Sequence, residues 1–450
     1  MNFPLCPDSL SFRVNFHQGQ SEKLSAMRRA FILQGFTKYC FDAIISRLER
    51  NVNMETKHRT TSLAYYIIQG SYWMSICVAS SYAAFYLQSR GYSNSQLGLI
   101  LATGNVAGFV LSPNLAAVVD RSKRIGIYHC LWGLLLIQGL LLVLFTLIPG
   151  KSLTLALLYC VYIAVVVAIN PLNTELCFEL SRWSKAVSYS PARGIGSLCY
   201  ALMALALGQL TLRLGAPILP FAGLFCLLCQ GLSLMYICLV RNRSNLSDLK
   251  HSHELQVRGL SLSAFIIGNR RFCVLMFGIA LLFFSYNMAD YFLINIARSV
   301  GGDTGDLGGV SAFKAMMEIP VMLLYTRLTC RFRCSDVLCF SAFAFGAKAA
   351  ALAMAGSIFG LYAANLLQAL SFALMIPSMV QYVNLVIDPK DSAKGQAIAN
   401  GMMTLGAVFA SLIGGQLYDL LTVKLTLVIG TIIAILGAII CTLAVERKKT

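Results

Sequence analysis

Seven ionisable side chains lie inside stretches of sequence that are otherwise apolar, and they are the first candidates for chemistry. Four are acidic and three are basic: Glu175, Glu179, Asp290, Glu318, Arg193, Lys314 and Lys348. An ionised group in such a stretch costs several kcal/mol, so its presence favours a functional role. Because the charges nearly balance, we expect them to pair across one shared cavity. Lys314 and Glu318 are four residues apart and therefore share one face of a helix.

The composition of the chain determines which elements must position these charges. Of its 450 residues, 57% are hydrophobic and 12% are charged, and its mean hydropathy is +0.70. A soluble globular protein has about 25% charged residues and about 45–50% apolar ones. The composition therefore excludes a cytosolic enzyme, a disordered chain and a secreted disulfide scaffold, and it predicts an integral membrane protein.

Twelve apolar stretches are long enough for membrane-spanning helices, which need about 20 residues each. We expect an all-α polytopic membrane protein with twelve transmembrane helices at Leu63–Gln88, Gln96–Val119, Ile125–Ile148, Leu153–Leu180, Arg193–Leu214, Ile218–Val240, Phe272–Ala297, Gly309–Leu328, Asp336–Ala355, Ile358–Val386, Ala393–Leu417 and Thr422–Val445. The longest polar interruption, Arg241 to Arg271, carries six basic residues. It predicts a cytoplasmic linker at residues 241–271 between two six-helix bundles, at residues 54–240 and 272–450.

The two predicted bundles resemble each other weakly in sequence. Pro377 follows Pro171 by 206 positions, and the Gly-Gln-Leu run at Gly415 follows the same run at Gly208 by 207 positions. A nearly constant offset indicates a parallel duplication, which is typical of transporters whose halves move around a site at the membrane midplane. The sequence therefore predicts two pseudo-symmetric bundles.

The basic excess of the chain follows its predicted topology. Thirty-six Lys and Arg residues against 19 Asp and Glu give a formal net charge of +17. In a soluble protein this excess would suggest nucleic acid binding. When the spans are threaded alternately through a bilayer, however, 21 Lys or Arg residues fall on one side and five on the other. This positive-inside pattern predicts an inner (plasma) membrane protein with both termini cytoplasmic, whose partner is the lipid bilayer and not nucleic acid.

The first 53 residues differ from the rest of the chain. They hold seven Lys or Arg residues and no membrane-spanning stretch, although Leu24–Leu48 could form an amphipathic surface helix. Our preferred interpretation is that residues 1–53 are either a disordered tail or an artefact of start-codon choice. Met54 begins a short basic lead into the first span, and Glu49-Arg50 can be encoded by a purine run of the ribosome-binding type.

The 15 cysteines are scattered, and most lie in apolar stretches. Cys226 and Cys229 form a Cys-x-x-Cys pair inside a predicted membrane helix, but no second pair follows at zinc-binding spacing. We therefore interpret the cysteines as small apolar residues and predict no metal and no other cofactor. The sequence contains no GxxxxGKS motif, so a proton gradient, and not ATP, is the expected driving force.

Glu175 and Arg193, in the fourth and fifth spans, are 18 residues apart, and Tyr200 follows Arg193 by seven. This pattern resembles the lactose permease and oligosaccharide:proton symporter group of the major facilitator superfamily. In that group an acid and an arginine at this spacing bind sugar hydroxyls, and an aromatic residue stacks on the sugar ring. A carboxylate accepts hydrogen bonds and a guanidinium donates two in a fork, as hydroxyl recognition requires. The resemblance implies that these three residues bind the solute; the alternative is a purely structural ion pair.

The resemblance extends to the seventh span and beyond. Tyr286 and Asp290 match a Tyr and an Asp of the group's seventh helix, and Lys348 falls where the group has an Arg in its ninth helix. Asn287 and Gln368 are further candidates for solute binding, although such polar residues also bridge helices without binding anything.

The loop between the second and third spans also resembles a superfamily motif. That motif latches the two halves together on the cytoplasmic side, and it implies a gating role for Asp120, Arg121 and Arg124. Its usual leading glycine is missing here.

The group's proton-handling residues are replaced in this chain. Its tenth-helix His and Glu fall at Gln368 and Ser371, which do not titrate. We therefore expect the proton on Glu318 first and on Asp290 second, because burial and nearby cations shift a carboxyl's proton affinity in opposite directions. The expected counter-charges and neighbouring tyrosine are Lys314, Lys348 and Tyr286. The alternative is that these groups form static pairs without a proton role.

Together these features predict a monomeric secondary active transporter and not an enzyme. We expect it to import a small polyhydroxylated solute, such as a sugar or oligosaccharide, by proton symport with alternating access. The Glu-Ile-Pro run at Glu318 also resembles nucleoside and phenylpropionate permeases, so a nucleoside or small aromatic acid is the alternative solute. A membrane sensor or membrane enzyme that transports nothing is a remote alternative, since no nucleophile–base pair is apparent.

Overall fold

Helices make up all of the regular secondary structure in the part of the chain that the computed structural model describes, residues 59–122, 126–183, 187–243 and 262–447. In chain order they are α1 (59–76), a π-helical turn (Cys77–Ser81), α2 (Ala83–Ser89), α3 (Asn94–Arg121), α4 (Ile127–Leu147), α5 (Leu153–Trp183), α6 (Tyr189–Leu214), α7 (Ile218–Arg243), α8 (Leu262–Gly268), α9 (Arg270–Tyr291), α10 (Leu293–Ser299), α11 (Thr304–Thr329), α12 (Cys334–Met354), α13 (Ile358–Leu366), α14 (Phe372–Val386), α15 (Ser392–Leu420) and α16 (Val423–Ala444). The predicted all-α class is confirmed. The predicted tail at 1–53 and most of the predicted linker, residues 244–261, lie outside the described residues.

Nine helices among the described residues are long and apolar enough to cross a membrane: α3, α4, α5, α6, α7, α9, α12, α15 and α16. Three of the twelve predicted spans do not appear in this set. The first is divided by the π-helical turn, and the tenth is broken between Leu366 and Phe372. The eighth, α11, is continuous but carries four charged residues. The count of twelve therefore stays a prediction.

Matching interruptions follow the first span of each predicted bundle. The seven-residue helices α2 and α10 each end next to a glycine with positive φ, Gly91 at 89° and Gly301 at 85°. This left-handed conformation suits glycine, which has no Cβ to collide with the backbone. The recurrence supports the internal repeat inferred from sequence.

Apolar side chains cover the outside of the helices, whereas polar ones lie within. Leu153 is 77% exposed and Leu443 is 81% exposed, while Lys314, Glu318 and Gln368 are buried. This distribution reverses that of a soluble protein and suits helices surrounded by lipid.

Two helix pairs join the N-terminal and C-terminal halves, α6 with α11 and α3 with α15. Both approach closely at glycine. A Cβ added to Gly308 would lie 2.4 Å from the carbonyl oxygen of Ala204, and one added to Gly98 would lie 2.0 Å from that of Ser411. Small residues at these positions let the membrane helices pack backbone against backbone.

One end of the bundle is closed by polar contacts between the halves. The Asp419 carboxylate accepts hydrogen bonds from the backbone and side chains of Asn94 and Ser95, at 2.6–3.1 Å. Beside it, Gln88 donates to Asn295 at 2.7 Å and accepts from Arg298 at 2.8 Å. We call this set of residues the polar seal.

Candidate functional site

A cavity between the halves contains seven of the ten side chains predicted to bind the solute or handle the proton. Its volume is about 230 Å³. The predicted residues in its wall are Arg193, Tyr200, Tyr286, Asn287, Asp290, Lys314 and Glu318. They come from α6, α9 and α11, so both halves contribute to one chamber.

Arg193 lies one turn into α6 and is held by neutral groups. Its guanidinium carbon is 3.8 Å from the centre of the Trp73 ring, and its Nη1 donates to Ser197 Oγ at 2.7 Å. Among the described residues, no carboxylate oxygen lies within 4.0 Å of Arg193. The guanidinium is therefore fixed in place without an acidic partner in direct contact.

Glu175 does not reach this cavity, and the Glu175–Arg193 pair expected from sequence is not formed in this structure. On α5, Glu175 shares an exposed face with Pro171 and Phe178, while the neighbouring Leu176 is buried. A spacing of 18 residues places two side chains at similar depth but does not fix how each helix is rotated about its axis. Glu175 is therefore exposed on α5 and is absent from the cavity wall.

Glu179, one turn further along the same helix, contacts a cation of α7. Its carboxylate is 3.7 Å from the guanidinium of Arg241 at the end of α7, and both side chains are partly exposed. Neither Glu179 nor Arg241 is part of the cavity wall.

Tyr200 forms part of the cavity wall, two turns beyond Arg193 on α6. Its hydroxyl hydrogen-bonds with that of Ser81 at 2.5 Å. Ser81 ends the π-helical turn, and Ser80 of the same turn also lines the cavity. Such turns occur often at functional sites, because they alter the direction in which neighbouring side chains point.

The C-terminal half supplies a buried ion pair. Lys314 of α11 donates to the carboxylate of Asp290 on α9. Lys314 is 5% exposed, so its charge depends on this partner for compensation. Of the two lysines predicted as counter-charges, Lys314 thus forms a direct ion pair with Asp290.

Gln368 connects the second lysine to Glu318. Lys348 Nζ donates to Gln368 Oε1 at 2.5 Å, and Gln368 Nε2 donates to Glu318 Oε1 at 2.8 Å. Gln368 lies in the break between α13 and α14, where irregular backbone is tolerated because it is enclosed by protein. Gln368 and Lys348 are absent from the wall of the 230 Å³ cavity. Gln368 is connected to the cavity through Glu318, and Lys348 through Gln368.

Arg193 faces Glu318 across the cavity. Both side chains line it, and a cation attracts a carboxylate more strongly across a poorly hydrated cavity than in bulk water. The N-terminal half therefore influences the acid that we predict to carry the proton.

Tyr286 lies between the two lysines. Lys348 Nζ is 4.9 Å and Lys314 Nζ is 5.6 Å from the centre of its ring, and Phe372 stacks on it with centroids 5.0 Å apart. Aromatic faces attract cations, so this ring stabilises both ammonium groups. Asn287, one residue on, donates to the Phe283 carbonyl at 2.7 Å and lines the cavity.

Several wall residues were not predicted from sequence: Trp73, Ile76, Ser80, Ser81, Ser197, Phe283, Tyr291, Ala315 and Phe372. Ser197 follows Arg193 by four residues, a helical spacing that could have revealed it. Trp73 and Phe372 become neighbours of the charged groups only through tertiary packing.

The predicted gating residues cannot be placed here. The helix α3 ends at Arg121, whereas the side chains of Asp120 and Arg121, and all of Arg124, lie outside the described residues.

Comparisons with known proteins agree with this architecture. The model of the MFS_1 like family matches residues 64–428. The chain is 24% identical over 374 residues to the maltose permease of Geobacillus stearothermophilus, covering 81% of this chain and 90% of that protein.

Solved structures with the same fold include two transporters of low sequence similarity. The nucleoside transporter NupG has a TM-score of 0.68 and 13% identity, covering 87% of this chain and 100% of that one. A bacterial homologue of the human lysosomal transporter Spinster, inward-facing and unoccupied, has a TM-score of 0.62 and 15% identity, covering 86% and 97%.

Proposed function

This chain belongs to the MFS_1 like family, and from that premise we propose that it imports a small polyhydroxylated solute by proton symport. The observation that carries the proposal is the single cavity in which Arg193 and Tyr200 of one half face Asp290, Lys314 and Glu318 of the other. A transporter that couples solute to protons needs both kinds of group within reach of one chamber.

The cavity wall has the chemistry that recognises hydroxyl groups. The guanidinium of Arg193 donates in a planar fork, Asn287 and Ser80 offer amide and hydroxyl groups, and Glu318 accepts. Trp73 and Phe372 add flat apolar surfaces, which can cover the apolar face of a sugar ring. The similarity to a maltose permease supports this solute class.

Glu318 is the proton carrier in this proposal, and Asp290 is second to it. Asp290 is in direct contact with Lys314, whereas Glu318 is bonded only to the neutral Gln368 among the described residues. Protonation of Glu318 therefore breaks no direct ion pair. Glu318 also lines the cavity. A bound solute can therefore change the polarity and charge around this carboxyl group, and with them its affinity for the proton.

Alternating access would expose this cavity to each side in turn. In the proposed orientation both termini are cytoplasmic, so the polar seal lies at the outer face of the plasma membrane. The seal and the glycine contacts of α3 with α15 would close the outer side, and they must separate for solute to enter. We propose that the working unit is a monomer, because both halves of the cavity come from one chain.

A nucleoside or small aromatic acid is the second candidate solute. The observation that favours it is the group of aromatic rings in or near the cavity, Trp73, Tyr286 and Phe372, on which a base or phenyl ring can stack. The fold neighbour NupG is a nucleoside transporter, which also supports this candidate.

Uptake by purified protein in liposomes tests the proposal. Labelled glucose, glucuronate, maltose, uridine and phenylpropionate are offered with and without an inward proton gradient. We expect a sugar or sugar acid to accumulate only with the gradient, and a protonophore to abolish accumulation. Sugar accumulation that is unchanged by the protonophore contradicts proton symport. If uridine or phenylpropionate is taken up and no sugar or sugar acid is, the solute belongs to the second candidate class.

A further inference from the structure

We propose that the transported solute carries a carboxylate group, which Arg193 binds, so that the polyhydroxylated substrate is a sugar acid. This inference rests on the proposed function and narrows its substrate class.

The first argument is the state of Arg193. Its guanidinium lines the cavity and is oriented by the Trp73 ring at 3.8 Å and by Ser197 at 2.7 Å. Both partners are neutral, and a guanidinium has five N–H donors, of which Ser197 uses one. An arginine held rigidly with unused donors facing a cavity suits the two-pronged binding of a carboxylate.

The second argument is the charge of the site. Among the described residues, the cavity and its adjoining network contain three cations and two carboxylates: Arg193, Lys314, Lys348, Asp290 and Glu318. Counted at the formal charges of these side chains, the site has one positive charge in excess, and two once Glu318 binds a proton. Because uncompensated charge is costly away from water, a solute carboxylate favours binding of the proton: it returns the protonated site to the single excess charge that the empty site has.

The third argument is the distance between the charged and polar parts of the wall. Arg193 and Tyr200 are seven residues apart on α6, or about 10 Å along the helix axis. Asn287 and the hydrogen-bonded Tyr200–Ser81 pair line the same cavity as Arg193. A sugar acid can thus place its carboxylate at Arg193 and its hydroxyl groups among the neutral polar residues.

This arrangement also explains how solute and proton are coupled. Without solute, Arg193 lines the same cavity as Glu318 and has no carboxylate within 4.0 Å among the described residues, so its charge attracts the Glu318 carboxylate. A solute carboxylate at Arg193 offsets that attraction, so Glu318 takes up a proton from the outer solution. When the solute leaves on the inner side, Arg193 attracts Glu318 again and the proton follows. One anion and one proton cross together, so the cycle moves no net charge.

The test compares D-glucuronate with D-glucose in proteoliposomes with an imposed proton gradient. The membrane potential is set independently by potassium and valinomycin. We expect glucuronate to accumulate, with an uptake rate that changes less than twofold when the potential is reversed. We expect glucose to bind at least about tenfold more weakly, since hydrogen bonds to charged groups are worth ~1.5–3 kcal/mol.

Variants of Arg193 assign the effect to that residue. Arg193→Gln should raise the KM for glucuronate at least about tenfold, and Arg193→Lys should recover part of this loss because the charge remains. The control is Arg213→Gln, which removes an exposed cation from the same helix. It should leave the KM for glucuronate unchanged. Thermal unfolding and gel filtration verify that each variant is folded.

The outcomes separate this inference from the proposed function. If glucose is transported with protons as well as glucuronate is, and Arg193→Gln affects both alike, the carboxylate inference is wrong and the symport proposal stands. If neither neutral sugars nor sugar acids move with protons, the proposed function is itself wrong. Preference for glucuronate that persists in Arg193→Gln also contradicts the assignment to Arg193.

Discussion

The guanidinium of Arg193 stacks on the ring of Trp73, 3.8 Å from its centre, and this contact joins α6 to α1. Cation–π contacts contribute roughly 0.5–2 kcal/mol, more where water is excluded. The position of the charge in the cavity therefore depends on an aromatic side chain from a different helix.

Replacing Gly196 with alanine should weaken solute binding. A Cβ at Gly196 would lie 2.4 Å from Cδ1 of Trp73, so the ring must move and Arg193 loses its support. We expect the KM to rise by about tenfold, the equivalent of ~1.4 kcal/mol. Gly194→Ala is the matched control, because a Cβ there meets nothing within 4 Å. Equal KM values in the two variants would show that Trp73 does not position Arg193.

Glu318→Gln should separate solute movement from proton movement. The amide keeps a polar group beside Gln368 but cannot bind or release a proton. We expect accumulation against a gradient to be lost, while exchange of labelled for unlabelled solute continues at no less than about a third of the original rate. Glu179→Gln, outside the cavity, should leave both unchanged. Solute-dependent alkalinisation of the medium that survives Glu318→Gln would move the proton site elsewhere.

Removing Lys314 should destabilise the protein more than removing the whole ion pair. Lys314→Ala leaves the Asp290 carboxylate without its partner, and breaking a buried pair in this way costs about 3–5 kcal/mol. Adding Asp290→Ala removes the uncompensated charge, so the double variant should recover at least about half of the lost stability. Thermal unfolding in detergent measures both. A double variant less stable than Lys314→Ala would mean that the two groups do not compensate each other.

Asp419→Asn should open the polar seal. The carboxylate accepts four hydrogen bonds from Asn94 and Ser95, and the amide cannot accept all of them. We expect about a tenfold rise in labelling of a cysteine placed at Ser80, a cavity residue, by a membrane-impermeant maleimide added outside. The chain without the added cysteine reports labelling of its own cysteines. Asp306→Asn is the matched control, because its carboxylate accepts from the backbone of Asp303, just before α11, and is not part of the polar seal. No rise would place closure in the glycine contacts instead.

Much of the site could be predicted from the sequence because charge in an apolar helix is conspicuous. Asp290, Lys314 and Glu318 were identified in this way, and the four-residue spacing of the latter two correctly put them on one face of α11. Their helices were equally evident from the length of the apolar stretches.

The part that could not be predicted depends on rotation and on breaks in helices. The 18-residue spacing of Glu175 and Arg193 carries no information about the direction in which α5 turns its faces. Gln368 was expected to touch solute, but the break after α13 places it between Lys348 and Glu318. Apolar periodicity alone does not reveal such interruptions, since they are stabilised by contacts with other helices.

The amide of Gln368 lies in the break between α13 and α14, which divides the predicted tenth span into two half-helices. A single planar group there contacts Lys348 with its oxygen and Glu318 with its nitrogen, so any movement of the break relative to α11 or α12 acts on these two hydrogen bonds together. In the proposed mechanism, bending at this break would therefore change how firmly Glu318 holds its proton, so that movement of the half-helix and release of the proton would occur together.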